Sequence, residues 1–163
     1  MAESHVHSKS LEETNQFASE FLQNLKTNLA GSLQGSQGAT VVCLSGDLGS
    51  GKTALSKEIG GLLGVPRDRV TSPTFVIMNF YALSKSQYDL PFTHFIHIDA
   101  YRLEKADELL SLGWKEIVAD PRNLIVIEWP EKVAEIISET AITIECTFVN
   151  ETEREYKEIR NRK

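Results

Sequence analysis

The segment GDLGSGKT, from Gly46 to Thr53, has the residue types and spacing of a phosphate-binding loop, because it fits G-x-x-x-x-G-K-[ST] at every position. Glycines let such a loop curl until consecutive backbone N–H groups point at phosphate oxygens, and the following helix directs its positive end at the same anion. Lys52 could reach the β- and γ-phosphates, and the hydroxyl of Thr53 could coordinate Mg²⁺. The sequence therefore predicts a site for a nucleoside triphosphate with Mg²⁺.

Two carboxylates, Asp99 and Glu128, end strand-like segments that could lie beside this loop. Asp99 closes the run FIHID and Glu128 closes the run LIVIE. Ligands of open α/β sheets bind beyond the carboxyl ends of the parallel strands, so both side chains could face the phosphates. One acid would hold Mg²⁺ and the other would polarise the attacking water. The sequence leaves these roles open, with Asp99 favoured in the outer shell of the metal and Glu128 as metal ligand or base.

Further polar and aromatic positions could contact a ligand at this site, and each also has a plain structural interpretation. The hydroxyls of Ser72 and Thr74 could sense the γ-phosphate, as switch loops do, or could simply begin a strand. His97 could bond near the phosphates or be a satisfied core histidine. Arg102 could neutralise phosphate charge or pair with a carboxylate, and Trp129 could cover a ligand or pack in the core.

Apolar spacing predicts the helices and strands that would position these residues. Ser10 and Glu13 have the spacing of a capping box, which would start the first helix, and residues 1–9 are expected to be a frayed terminus. The predicted elements are a helix from Ser10 to Gly31, a strand over Ala39–Ser45, a helix over Lys52–Leu63, strands over Thr74–Tyr81 and Thr93–Asp99 joined as an antiparallel hairpin by a loop at 82–92, a helical region over Leu103–Ala119 broken near Gly113, a strand over Leu124–Glu128, a helix from Pro130 to about Ser138, a strand over Ala141–Val149 and an edge strand or tail over Arg154–Arg160. This order predicts an α/β sheet with antiparallel additions.

Composition is that of a globular chain with one domain. There are 163 residues, of which 41% are apolar, and 17 Lys and Arg oppose 23 Asp and Glu for a formal charge of −6. That acidic balance argues against a dedicated binder of duplex DNA or of a membrane surface. The apolar runs are far shorter than the roughly 20 residues of a membrane span, and the polar N-terminus has no signal-peptide core, so the cytoplasm is the expected location.

The two cysteines are predicted to be reduced core residues. Cys43 and Cys146 each lie in an apolar, strand-like run. Neither a disulfide framework nor a zinc site is expected from two thiols so placed.

Taken in order, these motifs resemble those of the TsaE (YjeE) family, the bacterial ATPases of tRNA threonylcarbamoyladenosine biosynthesis. After GDLGSGKT come SPTF at 72–75, HIDAYR at 97–102 and IEWPE at 127–131, and the N-terminal pattern S-x-E-E-T is met from Ser10 to Thr14. The family usually has Ala where this chain has Ser50. The loop at 82–92 and the C-terminal part of the chain match nothing diagnostic.

The resemblance implies a P-loop NTPase-like three-layer sandwich, with a mixed, mainly parallel sheet and an antiparallel hairpin, formed by residues 1–163 as a single domain. It implies ATP and Mg²⁺ as cofactors, slow hydrolysis by the chain alone, and association with TsaB and TsaD. Those partners install threonylcarbamoyl on adenosine 37 of tRNAs that read ANN codons, and ATP hydrolysis would support their repeated turnover. Contact with tRNA would then be indirect.

The resemblance also implies roles for individual positions of this sequence. Lys52, Asp99 and Glu128 would be catalytic, and Thr53 would share the metal with the two acids. The residues implied to bind the nucleotide are Asp47, Leu48, Gly49, Ser50, Gly51, Lys52, Thr53, Ala54, Thr14 and Trp129.

Two other functional classes stay open at this point. A small-molecule P-loop kinase has similar length and the same loop, but it needs a second substrate pocket and usually an arginine-rich lid. The only basic residues between Gly113 and Trp129 are Lys115 and Arg122, which is too few for such a lid. A regulatory nucleotide switch would bind without appreciable catalysis. A switch specific for GTP is disfavoured, because the sequence has no N-K-x-D motif.

Overall fold

The computed structural model describes residues 4–31, 37–70, 76–84 and 87–160. The elements in chain order are β1 (His5–Ser8), α1 (Leu11–Gly31), β2 (Thr40–Ser45), α2 (Lys52–Leu62), β3 (Met78–Ala82), β4 (His94–Asp99), α3 (Ala106–Ser111), α4 (Trp114–Ala119), β5 (Asn123–Glu128), a 3₁₀ helix (Pro130–Ile136), β6 (Ile142–Asn150) and β7 (Glu153–Ile159).

These strands form one mixed sheet in the order β1-β7-β6-β2-β5-β4-β3. The strands at its centre, β6, β2, β5 and β4, run parallel to one another. The outer pairs are antiparallel, with β3 on β4 at one end and β7 between β6 and β1 at the other. The predicted α/β fold is confirmed, including the antiparallel hairpin and the parallel centre.

Helices cover both faces of the sheet, which makes a sandwich of three layers. Side chains alternate along a strand, so sequence neighbours enter different cores. On one face Val42 packs in a cluster with Phe17 of α1 and Leu55 of α2. On the other face Val41 belongs to a cluster with Leu109 of α3. Because both faces are covered, β2 and β5 are continuous apolar runs, as expected for buried parallel strands.

The prediction of a frayed N-terminus is wrong for the residues that form β1. His5–Ser8 pairs antiparallel with β7, and Val6 lies opposite Tyr156. The C-terminal segment is correspondingly not an edge strand or a tail, since β7 has a neighbour on each side. The physical reason is that β7 would otherwise expose a row of unpaired backbone groups, which β1 satisfies.

Three local expectations need smaller corrections. The first strand of the hairpin begins at Met78, since the described residues just before it are not in a strand. The helix after Trp129 is a 3₁₀ helix that ends at Ile136. The capping box is half formed, because Ser10 Oγ accepts from the N–H of Glu13 at 3.1 Å, whereas the Glu13 carboxylate accepts from Lys9 instead of Ser10.

The two thiols are free, buried and on opposite faces of the sheet. Cys43 belongs to the core cluster under α3, and Cys146 belongs to the cluster under α1 and α2. Burial raises the pKa of each thiol to about 12. Among the helices in the described ranges, none has the length and apolar content needed to cross a membrane.

Candidate functional site

The loop between β2 and α2 is shaped by glycines that no other residue could replace. Gly46 has a φ of +151° and Gly51 a φ of +96°. A Cβ at Gly46 would collide with the carbonyl oxygen of Cys146, and one at Gly51 would collide with the hydroxyl of Tyr156. The tight curl is therefore required both by the backbone conformation and by the close packing of β6 and β7 behind the loop.

Lys52, the first residue of α2, points its ammonium group back into the loop. Its Nζ donates to the carbonyl oxygens of Gly46 at 2.6 Å and Asp47 at 2.7 Å, and lies 3.3 Å from Ser50 Oγ. Burial lowers the pKa of this ammonium, and nearby carboxylates, among them Glu128, offset part of that effect. The lysine therefore occupies the centre of the loop and is held by acceptors that a phosphate could replace.

Trp129 packs against the ammonium group of Lys52. Its indole centroid lies 4.1 Å from Lys52 Nζ, within the range of a cation–π contact. The ring of Tyr101 packs on the indole, with 4.9 Å between centroids. Trp129 has a φ of +59°, and this turn of the chain brings it back from β5 towards the loop before Pro130 begins the 3₁₀ helix.

Glu128 is the buried acid at the carboxyl end of β5. It lies opposite Leu44 of β2 and Asp99 of β4 in the parallel register. Its Oε2 accepts from the hydroxyl of Thr53 at 3.0 Å. Its Oε1 lies 3.3 Å from Ser56 Oγ and 2.8 Å from His97 Nε2. The carboxylate thus joins β5 to the first turns of α2 and to β4.

Asp99 lies beside Glu128 and is half-buried. Its Oδ1 accepts from the backbone N–H of Tyr101 at 3.0 Å. Burial raises the pKa of this carboxyl, and the neighbouring charge of Glu128 acts in the same direction, whereas the Tyr101 N–H opposes it. Among the described residues, Asp99 accepts from one protein donor, whereas Glu128 has Thr53, Ser56 and His97 as partners.

These groups surround a cavity of about 620 Å³. The residues that line it are Leu48, Gly49, Ser50, Gly51, Lys52, Thr53, Ala54, Ile77, Asp99, Tyr101, Arg102, Glu128 and Trp129. The structure therefore brings together most of the positions that the sequence singled out, including both acids, Arg102 and the loop from Leu48 to Ala54.

Some predicted site residues lie elsewhere. Asp47 is exposed and does not line the cavity, although its carbonyl oxygen accepts from Lys52. Thr14 is buried and does not line the cavity; its hydroxyl lies 2.8 Å from Ser8 Oγ and contacts the phenol of Tyr156 behind the loop. His97 lies behind Glu128 and is fully buried. Ser72 and Thr74 lie outside the described residues.

Sequence reasoning missed four residues at or behind the site. Ile77 and Tyr101 line the cavity, and Ser56 and Tyr156 support the loop and the acid from behind. A signal existed for Ser56, which follows Thr53 by three residues and so shares its helix face. No local pattern pointed to Tyr156, whose hydroxyl donates to the carbonyl oxygen of Gly51 at 3.3 Å.

The oxygen groups at the N-terminal end of α2 are ligands of the kind that Mg²⁺ prefers. The hydroxyl of Thr53 and the carboxylates of Glu128 and Asp99 supply the hard oxygen atoms that this ion prefers. Within the part of the chain that the structure describes, no three His, Cys, Asp or Glu side chains converge on a metal position. Mg²⁺ sites in proteins usually keep water and phosphate oxygens as further ligands.

Several known proteins resemble this chain over much of its length. The family described as threonylcarbamoyl adenosine biosynthesis protein TsaE matches residues 8–156. A tRNA threonylcarbamoyladenosine biosynthesis protein TsaE of Rickettsia prowazekii is 31% identical over 145 residues, which are 89% of this chain and 87% of that protein. A protein of the same name from Streptomyces coelicolor is 41% identical over 105 residues, which are 64% of this chain and 66% of that protein.

A solved structure shares the fold. The crystal structure of YdiB from Bacillus subtilis aligns with a TM-score of 0.63 and 21% identity, covering 98% of this chain and 87% of that one. The family match extends from the last residue of β1 to Tyr156 in β7, and so includes the loop, both acids and the sheet that positions them. The chain belongs to the TsaE family of threonylcarbamoyl adenosine biosynthesis proteins.

Proposed function

We propose that this chain binds ATP with Mg²⁺, hydrolyses ATP slowly by itself, and acts with TsaB and TsaD in the cytoplasm. Its role is to support threonylcarbamoyl modification of adenosine 37 in tRNAs that read ANN codons. The observation that carries the proposal is the 3.0 Å contact between Thr53 Oγ1 and Glu128 Oε2 at the end of a phosphate loop. That pairing, beside Asp99, is what an Mg²⁺–triphosphate site requires.

The position of each residue in the site suggests its role in binding and hydrolysing ATP. Backbone N–H groups from Leu48 to Thr53 bind phosphate oxygens, and Lys52 leaves its loop carbonyls for the terminal phosphates. Thr53 and Glu128 hold Mg²⁺, which supplies charge neutralisation on the phosphates when bound. Asp99 orients the attacking water, because it has the freer carboxylate oxygens and faces the same cavity.

Slow hydrolysis by the chain alone follows from an open site. Tyr101 at the cavity is 50% exposed and Leu48 is 79% exposed, so water enters freely and the transition-state charge is poorly shielded. A partner that packs over these two apolar side chains would exclude that water and complete the site. The formal charge of −6 fits a chain that meets tRNA through its partners rather than directly.

The test is steady-state ATP hydrolysis with Mg²⁺, measured for the chain alone and after addition of a TsaB–TsaD pair. We expect a slow basal rate that rises with the pair. Lys52→Ala should abolish it because phosphate binding is lost, and Glu128→Ala because the metal is no longer held. Each variant should lower the rate by at least about 100-fold.

Two outcomes would contradict this proposal. A rate that ignores the pair but rises with a small metabolite would indicate a small-molecule kinase. Tight nucleotide binding with no turnover, alone or with the pair, would indicate a nucleotide switch.

A further inference from the structure

His97 and Glu128 form a buried pair at the base of the candidate site. Their Nε2 and Oε1 atoms are 2.8 Å apart, and both side chains are almost completely buried, at 0% and 3% exposure. His97 precedes Asp99 by two residues on β4, and β4 runs parallel to β5 beside it. The histidine therefore shares the sheet face of the two acids but lies deeper, and it does not line the cavity.

The hydrogen bonds of this pair fix the form of the imidazole. An ionised carboxylate only accepts, so Nε2 must carry the proton that joins the two groups. Nδ1 has no hydrogen-bond partner among the described residues. A proton on Nδ1 would be a buried donor without an acceptor, which costs more than a bare lone pair there. The hydrogen-bond geometry therefore assigns the proton of the contact to Nε2.

Within the described part of the chain, Glu128 has no equivalent donor for the same oxygen. The hydroxyl of Ser56 lies 3.3 Å from Oε1 but 3.0 Å from the carbonyl oxygen of Lys52, and it has a single proton to give. The hydroxyl of Thr53 donates to the other oxygen, Oε2. Without the imidazole, Oε1 would keep only the long contact with Ser56, which that hydroxyl shares with the carbonyl oxygen of Lys52.

We propose that His97 is a positioning residue, which fixes the Glu128 carboxylate for Mg²⁺ by donating its Nε2 proton to Oε1. The inference rests on the proposed function, because it assigns the metal to Glu128. His97 acts only through the acid and touches neither phosphate nor metal. It therefore affects the affinity for Mg²⁺ and leaves the affinity of the loop for phosphate unchanged.

A matched pair of variants separates this role from packing. His97→Gln keeps a side-chain N–H near the position of Nε2, whereas His97→Leu keeps apolar bulk without a donor. Calorimetry would first measure the affinity for ADP without metal. A series of titrations at increasing Mg²⁺ would then give the Mg²⁺ concentration at which the change in ADP affinity is half complete. Thermal unfolding of each variant would run alongside.

We expect His97→Leu to raise the half-maximal Mg²⁺ concentration about tenfold or more, with metal-free ADP affinity within about twofold of the natural chain. His97→Gln should recover most of the loss. Lys52→Ala should do the reverse, weakening ADP even without metal. Equal Mg²⁺ requirements in all three His97 forms, or an equal loss of metal-free ADP affinity in both variants, would overturn the proposal.

A measurement on the unaltered chain keeps the proposal testable if neither variant folds. The ¹⁵N and ¹H NMR signals of His97 report which ring nitrogen carries the proton. We expect a protonated Nε2 and an unprotonated Nδ1, and the opposite tautomer would refute the positioning role. If the natural chain binds ADP but shows no Mg²⁺ effect, the proposed metal site fails, which is distinct from failure at His97 alone.

Discussion

The ammonium group of Lys52 lies 4.1 Å from the centroid of the Trp129 indole and also donates to two carbonyl oxygens of its own loop. The loop lysine is therefore satisfied before any phosphate arrives. If phosphate binds in the loop as proposed, it would have to replace both the carbonyls and the ring as partners of the ammonium group, and the indole would then respond to the occupancy of the loop.

Nucleotide binding should change the fluorescence of Trp129. The chain has 2 tryptophans, and the other, Trp114, is buried at 2% exposure and does not line the cavity. Because Lys52 moves from the indole towards phosphate, we expect the emission intensity to change on titration with ADP or ATP. Trp129→Phe should lose the change and Trp114→Phe should keep it. A signal that follows Trp114 instead would show that the indole is not coupled to the loop.

The hydroxyl of Tyr156 should stabilise the loop between β2 and α2. It donates to the carbonyl oxygen of Gly51 and contacts the buried hydroxyl of Thr14. Tyr156→Phe removes one buried hydrogen bond, so we expect a loss of about 1 kcal/mol in stability and a fall of about threefold to tenfold in nucleotide affinity. Urea unfolding and calorimetry would check the two values.

Tyr81→Phe provides the matched control for that substitution. Its hydroxyl donates to the carbonyl oxygen of Arg69 at 2.8 Å, and the residue does not line the cavity. The control should leave nucleotide affinity unchanged. An equal loss of affinity in both variants would show that the Tyr156 effect is not specific to the loop.

The protein should lose stability on the alkaline side of pH 9. Burial raises the pKa of the Cys43 and Cys146 thiols from 9.0 to about 12, and that of the Tyr156 phenol from 10.0 to about 12. The folded chain keeps these protons where the unfolded chain releases them. The stabilisation is therefore complete below pH 9 and is lost as pH rises towards 12, by up to about 1.4 kcal/mol per pH unit for each group.

Urea midpoints measured between pH 8 and pH 11 would check that slope. Cys43→Ala removes one of the titrating groups without touching the loop, so its slope should be shallower than that of the natural chain. A midpoint that stays constant across this range would contradict the buried, protonated state of the thiols.

Removal of residues 1–8 should destabilise the sheet. β1 covers the outer edge of β7, and Ser8 is a buried partner of the Thr14 hydroxyl at 2.8 Å. We expect a loss of at least about 1 kcal/mol from the buried hydrogen bond, and aggregation through the uncovered edge of β7. Thermal unfolding and light scattering would measure both. An unchanged stability and no aggregation in the truncated chain would show that β1 contributes nothing.

Local patterns were sufficient for much of the fold and for the centre of the site. The phosphate loop, the break near Gly113 and the buried strands could all be predicted, because each depends on a short motif or on the spacing of apolar residues. The strand ends at Asp99 and Glu128 were also correct, and the rule that ligands bind beyond parallel strands placed both acids at one cavity.

The N-terminal strand could not be predicted in the same way. HVHS alternates no better than many terminal segments and is too short to form structure alone. It becomes a strand only because β7 offers an unpaired edge, and that edge exists only once the sheet has formed. The same dependence explains why β7 was expected to be an edge or a tail.

The sequence by itself determined which chemistry the chain carries: a loop for phosphates, a lysine and a hydroxyl at its end, and two acids after buried strands. The tertiary structure decided which groups hold those residues in place. His97 reaches Glu128 across 31 residues of sequence, and Tyr156 reaches Gly51 across 105. Motifs record only neighbours along the chain, whereas such contacts arise from strand order and register, which the folding of the whole sheet sets.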